Sequence, residues 1–496
     1  MHRSHLSYNC SSADFDPKAK HIAIIGGGIA GSTAAIHFGE LGFNVTLLEK
    51  GPSLVNGPPI CHLHAGGNLY PDISEQQCIE LLQQSIETVR LFPHCLNIRP
   101  TVIAVPYSDG GEPNALLPRL DALQASYQAL VEQDGRNEVL GKPSDYFKLY
   151  EKQQLLELAN KVQPEAPVSL DDWIIPFAQH ANLETLKFPV VVVQEFGLSV
   201  FRMAATAKLS LDTMPHCQVL THSTLMESNW NNQQWQLTYQ DSQHNRQTIT
   251  ADYLINSTGF ETGNIDDSIG AIRQRLVEFK AAYVTQWHQC NQQWPEVIFH
   301  GPRGTPQGMA QLTPYADGYF QLHGMTKEIT LFEGGLVSSS IESETPSSQP
   351  DLPERLLKKI HSGWDKAVLE QRTRNAIEHM SQFIPEYDTA IAGGLPLFGA
   401  QQIPGNDGSL RAADVSFESN NYARIEVVKA SSTLHAARKI AQQWFELPLS
   451  QNIESQHKNT KNLQLKEVEQ TAINLAHERC YPVALAKVSG EAQSHD

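Results

Sequence analysis

Between Lys20 and Lys50 the hydrophobic pattern changes period twice. His21 to Ile25 is a short apolar run, Ala34, Ala35, Phe38 and Leu41 recur at spacings of three and four, and Val45 to Leu48 is a second short run. This predicts strand, helix and strand, with Gly42 stopping the helix. Farther on, Ile79, Leu82, Ile86 and Val89 predict a helix from Ser74 to Phe92, opened by a capping box of Ser74 and Gln77. Thr101 to Pro106 reads as a strand, Phe188 to Gln194 as a central strand, and a helix is expected from Val200 to Leu211. Gln218 to Leu225, Trp235 to Tyr239 and Gln247 to Ile255 read as strands, the last two forming a hairpin around Asp241 to Arg246. Lys280 to Gln286, Val297 to Gly301, Tyr319 to Met325 and Ile329 to Phe332 predict antiparallel sheet over a pocket. Ser338 to Pro353 is polar and rich in Ser and Pro, hence a surface loop; helices are expected after it to Phe383 and again through Trp444.

The first strand–helix junction carries chemistry. Gly26, Gly28 and Gly31 stand at the G-x-G-x-x-G spacing: the first allows a tight turn, the second lets backbone approach a pyrophosphate, and the third lets the helix lie close on the strand. The unpaired N–H groups at the start of such a helix face the phosphates, so Ile29 and Ala30 join the set. Glu49 ends the second strand 18 residues after Gly31, where a carboxylate accepts hydrogen bonds from both ribose hydroxyls and repels a 2′-phosphate. The site therefore selects FAD or NAD over NADP, and Lys50 follows it. The run Ile255-Asn256-Ser257-Thr258-Gly259 places a second backbone turn beside the dinucleotide, which suits an extended FAD better than NAD alone.

With 496 residues the chain exceeds what one core usually supports. The fold class expected is α/β, a Rossmann-type FAD-binding domain (20–105, 186–265 and 386–445) interleaved with an antiparallel-sheet α+β substrate domain (106–185 and 266–385), followed by a helical and polar tail (446–496). A formal charge of −17 argues against nucleic acid as a partner and leaves membrane contact at most peripheral. Seven scattered cysteines without a C-x-x-C pair, a polar start without a signal-peptide core, and no window of 18 apolar residues point to a reduced, cytoplasmic protein. No metal-binding set, such as H-E-x-x-H, and no G-x-S-x-G elbow occurs.

Flavin chemistry on a carboxylate substrate requires an anion clamp and a proton acceptor. Arg303, in a glycine-bounded loop, is the candidate clamp. His323, alternating on a strand with Gln321 and Met325, is the candidate base. Arg411, Arg424 and Lys429 flank the closing segment and are candidates for positive charge beside the flavin.

The Gly26–Gly31 turn with Glu49, the Asn256–Gly259 turn and a Gly-rich segment before a final helix resemble the D-amino-acid oxidase superfamily of FAD enzymes. Within it, Cys61 to Pro71, Leu397 to Gly399, Asp407 to Ser409 and Lys429 to Thr433 resemble segments of the malate:quinone oxidoreductase branch. The resemblance implies hydride transfer to flavin N5 from a small carboxylate, a 2-hydroxy acid or an amino acid, with electrons passing to quinone or oxygen. It adds Lys429, Ala430 and Ser431 to the cofactor set. His64, with Ala65, Gly66 and Gly67, lies 15 residues past Glu49 and resembles the segment of dimethylglycine and sarcosine dehydrogenases whose histidine is bonded covalently to flavin. Oxidation of an amine or N-methyl amino acid with covalent flavin is therefore one alternative, and a flavin-binding scaffold without turnover is another.

Overall fold

The first apolar run forms β1 (His21–Ile25), the helix after the glycine turn is α1 (Ile29–Glu40), and the next run is β2 (Asn44–Leu48). These belong to a computed structural model that describes residues 16–57, 73–411, 415–449 and 457–488. β1 lies between two parallel partners, with His21 opposite Asn44 of β2 and Ile22 opposite Tyr253 of the strand Tyr253–Asn256. Cys217–Leu220 extends the parallel sheet beyond β2, and Tyr422–Ile425 with its antiparallel neighbour Val415–Glu418 extends it on the other side. This is the Rossmann-type sheet of the expected α/β class.

α1 departs from a one-faced helix, because every residue from Ala30 to Gly39 is buried. The sheet covers one side, and the helices Val200–Asp212 and Thr433–Phe445 pack on α1 as well. A helix enclosed in this way is buried on every side, and its polar Ser32 is satisfied by donating to the Gly27 carbonyl. Gly42 ends it at φ +89°, where its N–H donates to the Gly39 carbonyl. α2 (Glu75–Leu91) is capped by Ser74, whose hydroxyl accepts from the Gln77 N–H at 3.3 Å.

The second sheet is larger and mostly antiparallel. Its long strand, Arg275–Gln286, pairs with Tyr319–Gly324, Leu336–Ser338, Ile391–Ala392 and Leu397–Pro404. From Tyr319–Gly324 the order continues through Ala310–Pro314, Glu296–Phe299, Thr101–Pro106, Leu186–Val193 and Phe147–Tyr150. Thr101–Pro106 and Leu186–Val193 thus join this sheet rather than the Rossmann-type one. A small third sheet holds the expected hairpin, in which Trp235 pairs with Ala251.

Several expectations are corrected. Gln218 to Leu225 divides into Cys217–Leu220 in the parallel sheet and Thr224–Asn231 in the small one, and Gln247 to Ile255 divides likewise after Ala251. Ile329 to Phe332 is a turn and not a strand: the Thr330 and Leu331 N–H groups donate to the Gly324 and Thr326 carbonyls, closing the chain on itself. Ser338 to Pro353 is not all surface. Ser348 is fully buried, and its carbonyl accepts from Arg275. No helix among the described residues is long and apolar enough to cross a membrane.

Candidate functional site: a cavity between the glycine turn and the long strand

The glycine turn has the geometry its spacing requires. Gly26 sits at φ +96°, and a Cβ there would lie 2.6 Å from the Ser257 carbonyl oxygen. At Gly31 a Cβ would lie 1.9 Å from the Gly26 carbonyl oxygen, so both positions admit only hydrogen. Gly28 is different: a Cβ there meets nothing within 4 Å, because the residue faces open space at the start of α1. No side chain caps that helix. Its first N–H groups are consequently available to an anion.

Glu49 is buried and holds the turn from below. One carboxylate oxygen accepts from the Gly27 N–H at 2.6 Å and the other from the Gly51 N–H at 2.6 Å. Lys50 points away to an ion pair with Glu261. The Asn256–Gly259 turn is braced by its own side chains. Ser257 donates its hydroxyl proton to the Ile25 and Gly26 carbonyls, both at 2.8 Å, and the Thr258 hydroxyl donates to Asn256 Oδ1 at 2.7 Å. Gly259 follows at φ +64°. An open glycine, an uncapped helix start and a buried ribose-side carboxylate fit a dinucleotide, which the Gly26–Gly31 backbone and Glu49 would hold.

One cavity of about 1020 Å³ brings most of the candidates together. Gly28, Ile29, Ala30, Gly259, Lys429 and Ala430 line it from the cofactor side, and Arg303 and His323 line it from the larger sheet. Ser431 stands behind the wall, buried, its carbonyl accepting from the Thr88 hydroxyl at 2.8 Å. Arg411 and Lys429 line the cavity, whereas Arg424 does not. Arg424 is fully buried in an ion pair with Asp266, which also holds Arg275, so it ties the two sheets together away from the site. His64, Gly66 and Gly67 lie outside the described residues.

The wall opposite the glycine turn contains residues that sequence reasoning misses. Glu278 and Lys280 project from one face of Arg275–Gln286 into the cavity. Glu278 accepts from Lys280 at 2.7 Å on one oxygen and from Arg303 on the other, so Arg303 is held in an ion pair at the cavity wall. Burial pushes the Lys280 ammonium below its usual range; Glu278 draws it back up, and Arg303 and Arg411 push it down. Gln311 stands opposite His323 in register, so both side chains share a face. The Gln311 amide donates to Glu296, which pairs with Arg99 at 2.9 Å in a fully covered contact. The chain does carry one signal of this wall: Glu278 and Lys280 put charge at alternate positions among the apolar Val277, Phe279 and Ala281, which marks a polar face.

The glycine turn thus opens into the same cavity as a charged, histidine-bearing sheet face. Residues 21–159 match the family model described as DAO, FAD dependent oxidoreductase. The chain carries a domain of that description at residues 21–159 and is an FAD-dependent oxidoreductase. The match is to the family as a whole and does not single out the malate:quinone oxidoreductase branch. A sequence search of curated proteins finds no match. Among solved structures the fold is similar to L-amino acid deaminase from Proteus vulgaris, at 12% identity over 90% of this chain and 97% of that one, with a TM-score of 0.54. L-proline dehydrogenase from P. horikoshii gives 14%, 90%, 99% and 0.53 in the same order. Glycerol-3-phosphate dehydrogenase from Bacillus halodurans, solved with FAD, gives 11%, 93%, 72% and 0.53. At such identities the likeness is one of fold.

Proposed function

We propose that this FAD enzyme oxidises a small amino acid, bound by its carboxylate against the cationic side of the cavity wall. The carrying observation is the shared cavity: the open start of α1 and the Lys280, Arg303 and His323 face line one space. The fold neighbours named as glycine oxidase, L-proline dehydrogenase and L-amino acid deaminase favour an amino acid over a 2-hydroxy acid. When bound, FAD supplies a two-electron acceptor.

The rest is the work of this chain. Arg303 offers a planar pair of N–H donors to a carboxylate while Glu278 fixes its guanidinium. Lys280 adds a second positive group from the same wall. His323 takes the proton from the substrate amine at a ring nitrogen, and Gln311 beside it orients that amine. Met309 and Met325, which also line the cavity, supply the apolar surface for the substrate side chain.

Anaerobic mixing with a panel of amino acids and 2-hydroxy acids tests the proposal. Bleaching of the flavin band by an amino acid supports it. Bleaching by hydroxy acids alone would overturn the choice of substrate. Arg303→Met is expected to raise KM for the responding substrate about tenfold or more with a smaller change in kcat, the loss of one charged hydrogen bond. Acid precipitation of the same sample reports the linkage: flavin kept in the pellet would support attachment at His64.

A further inference from the structure

The C-terminal segment returns to the cofactor side of the molecule. The helix Leu465–Glu478 lies against Val200–Asp212 and ends at Arg479. Arg479 projects under the loop that follows Glu49. One guanidinium nitrogen donates to the Val55 carbonyl at 2.7 Å, and the other donates to the Leu54 carbonyl at 2.6 Å and to the Ser53 hydroxyl at 2.9 Å. The segment beyond is tied down separately, since Arg202 donates to the Ala486 and Lys487 carbonyls at 3.1 and 2.6 Å.

The loop needs such support. Val55 is at φ +53°, a left-handed conformation that a β-branched residue adopts only under constraint. Its N–H donates to the Gly27 carbonyl at 2.7 Å, while the Gly27 N–H donates to Glu49. Leu54 packs so closely on Gly27 that a Cβ there would sit 2.8 Å from a Leu54 methyl carbon. Gly27 is therefore gripped between Glu49 and the strained loop, one residue from the open Gly28.

We propose that Arg479 is a positioning residue for FAD: the C-terminal helix uses it to hold Val55 in its strained form, and Val55 in turn holds the glycine turn in its binding shape. The proposal rests on the assignment of this cavity to FAD. Among the residues lining the cavity, Arg479 hydrogen-bonds Val55 of the loop it holds, and its charge also faces Glu49.

The test uses the full-length apoprotein and FAD, with affinity read from quenching of flavin fluorescence and folding read from circular dichroism. Arg479→Gln is expected to weaken FAD about tenfold or more, because a charged donor to three acceptors is lost. Arg479→Lys, a milder variant that keeps the charge, is expected to weaken it several-fold, since one ammonium does not reproduce the planar fork. Val55→Gly removes the strain at its source. In the Val55→Gly background, Arg479→Gln is expected to change FAD affinity by less than about threefold, the non-additivity of two residues acting through one backbone element. Wild-type affinity in a folded Arg479→Gln or Arg479→Lys variant would overturn the proposal. So would an undiminished effect of Arg479→Gln in the Val55→Gly background, which would mark Arg479 as a general stabiliser. A wild-type protein that takes up no FAD would instead remove the assignment beneath it.

Discussion

Two glycines of one motif are asked for opposite reasons. At Gly31 the missing side chain serves the fold, because a Cβ would lie 1.9 Å from the Gly26 carbonyl oxygen. At Gly28 the fold makes no such demand, because a Cβ would touch no protein atom within 4 Å and the backbone angles, φ −62° and ψ −176°, suit any L-residue, so the proposed reason is the ligand. Gly28→Ala is therefore expected to leave the thermal midpoint of the apoprotein within about 2 °C of wild type while abolishing measurable FAD binding. Gly31→Ala is expected to lower the apoprotein midpoint itself, by several degrees, since about 1–3 kcal/mol of overpacking must be accommodated. Thermal melts of both apoproteins with and without FAD separate the two. A Gly28→Ala protein that bound FAD normally would remove the phosphate role from this residue.

The strand Arg275–Gln286 organises the cavity wall opposite the glycine turn by alternation. Val277, Phe279 and Ala281 enter the apolar core on one face, and Glu278 and Lys280 enter the cavity from the other. The dinucleotide turn is legible in the amino-acid order alone, because its parts lie within thirty residues and each glycine obeys a local rule. Arg303 and His323 are candidates by residue type and setting, and both line the cavity, their roles being part of the proposal. What stays hidden is what distant strands bring together. Arg99, Glu296 and Gln311 lie more than two hundred residues apart at their extremes, and only the order of the larger sheet makes them one hydrogen-bonded unit. Arg424 shows the same limit in reverse: its place beside the closing segment suggests flavin, and its burial on Asp266 holds it elsewhere. The ion pair of Arg99 and Glu296 has side chains only 3% and 2% exposed, so Arg99→Met leaves a buried carboxylate without this charge partner. A loss of about 3–5 kcal/mol is expected for a broken buried pair. Urea denaturation measures it, and a loss below about 1 kcal/mol would show that water reaches Glu296.

The whole molecule is closed by its C-terminal segment, and one of its closures is pH-dependent. His37 of α1 and His457 meet with ring centroids 5.4 Å apart, beside Arg438 of the helix Thr433–Phe445. No hydrogen-bond partner reaches either His457 nitrogen or His37 Nδ1 among the described residues. Burial holds both rings below the ordinary histidine range; His457 and then Arg438 push His37 down further, and Arg438 adds to burial on His457, which is lowered to about 3. Glu87 does not relieve this, because it is already paired to Arg438 at 3.0 Å. Glu40, one turn along α1, accepts the Asn459 N–H at 2.8 Å and ties the same segment to the same helix. Both rings are thus neutral in the fold, while the unfolded chain protonates them below about pH 6.5. The unfolded state then binds more protons, so stability is complete above that pH and falls as the pH drops toward 3. Each histidine is expected to cost the folding equilibrium about tenfold per pH unit once well below 6.5. His457→Phe, which keeps an aromatic ring beside His37, is expected to make the urea midpoint less sensitive to pH between 6 and 4.5 than in wild type. Equal slopes in the two proteins would mean that His457 takes up its proton without leaving α1, and the acid sensitivity would then belong to other groups.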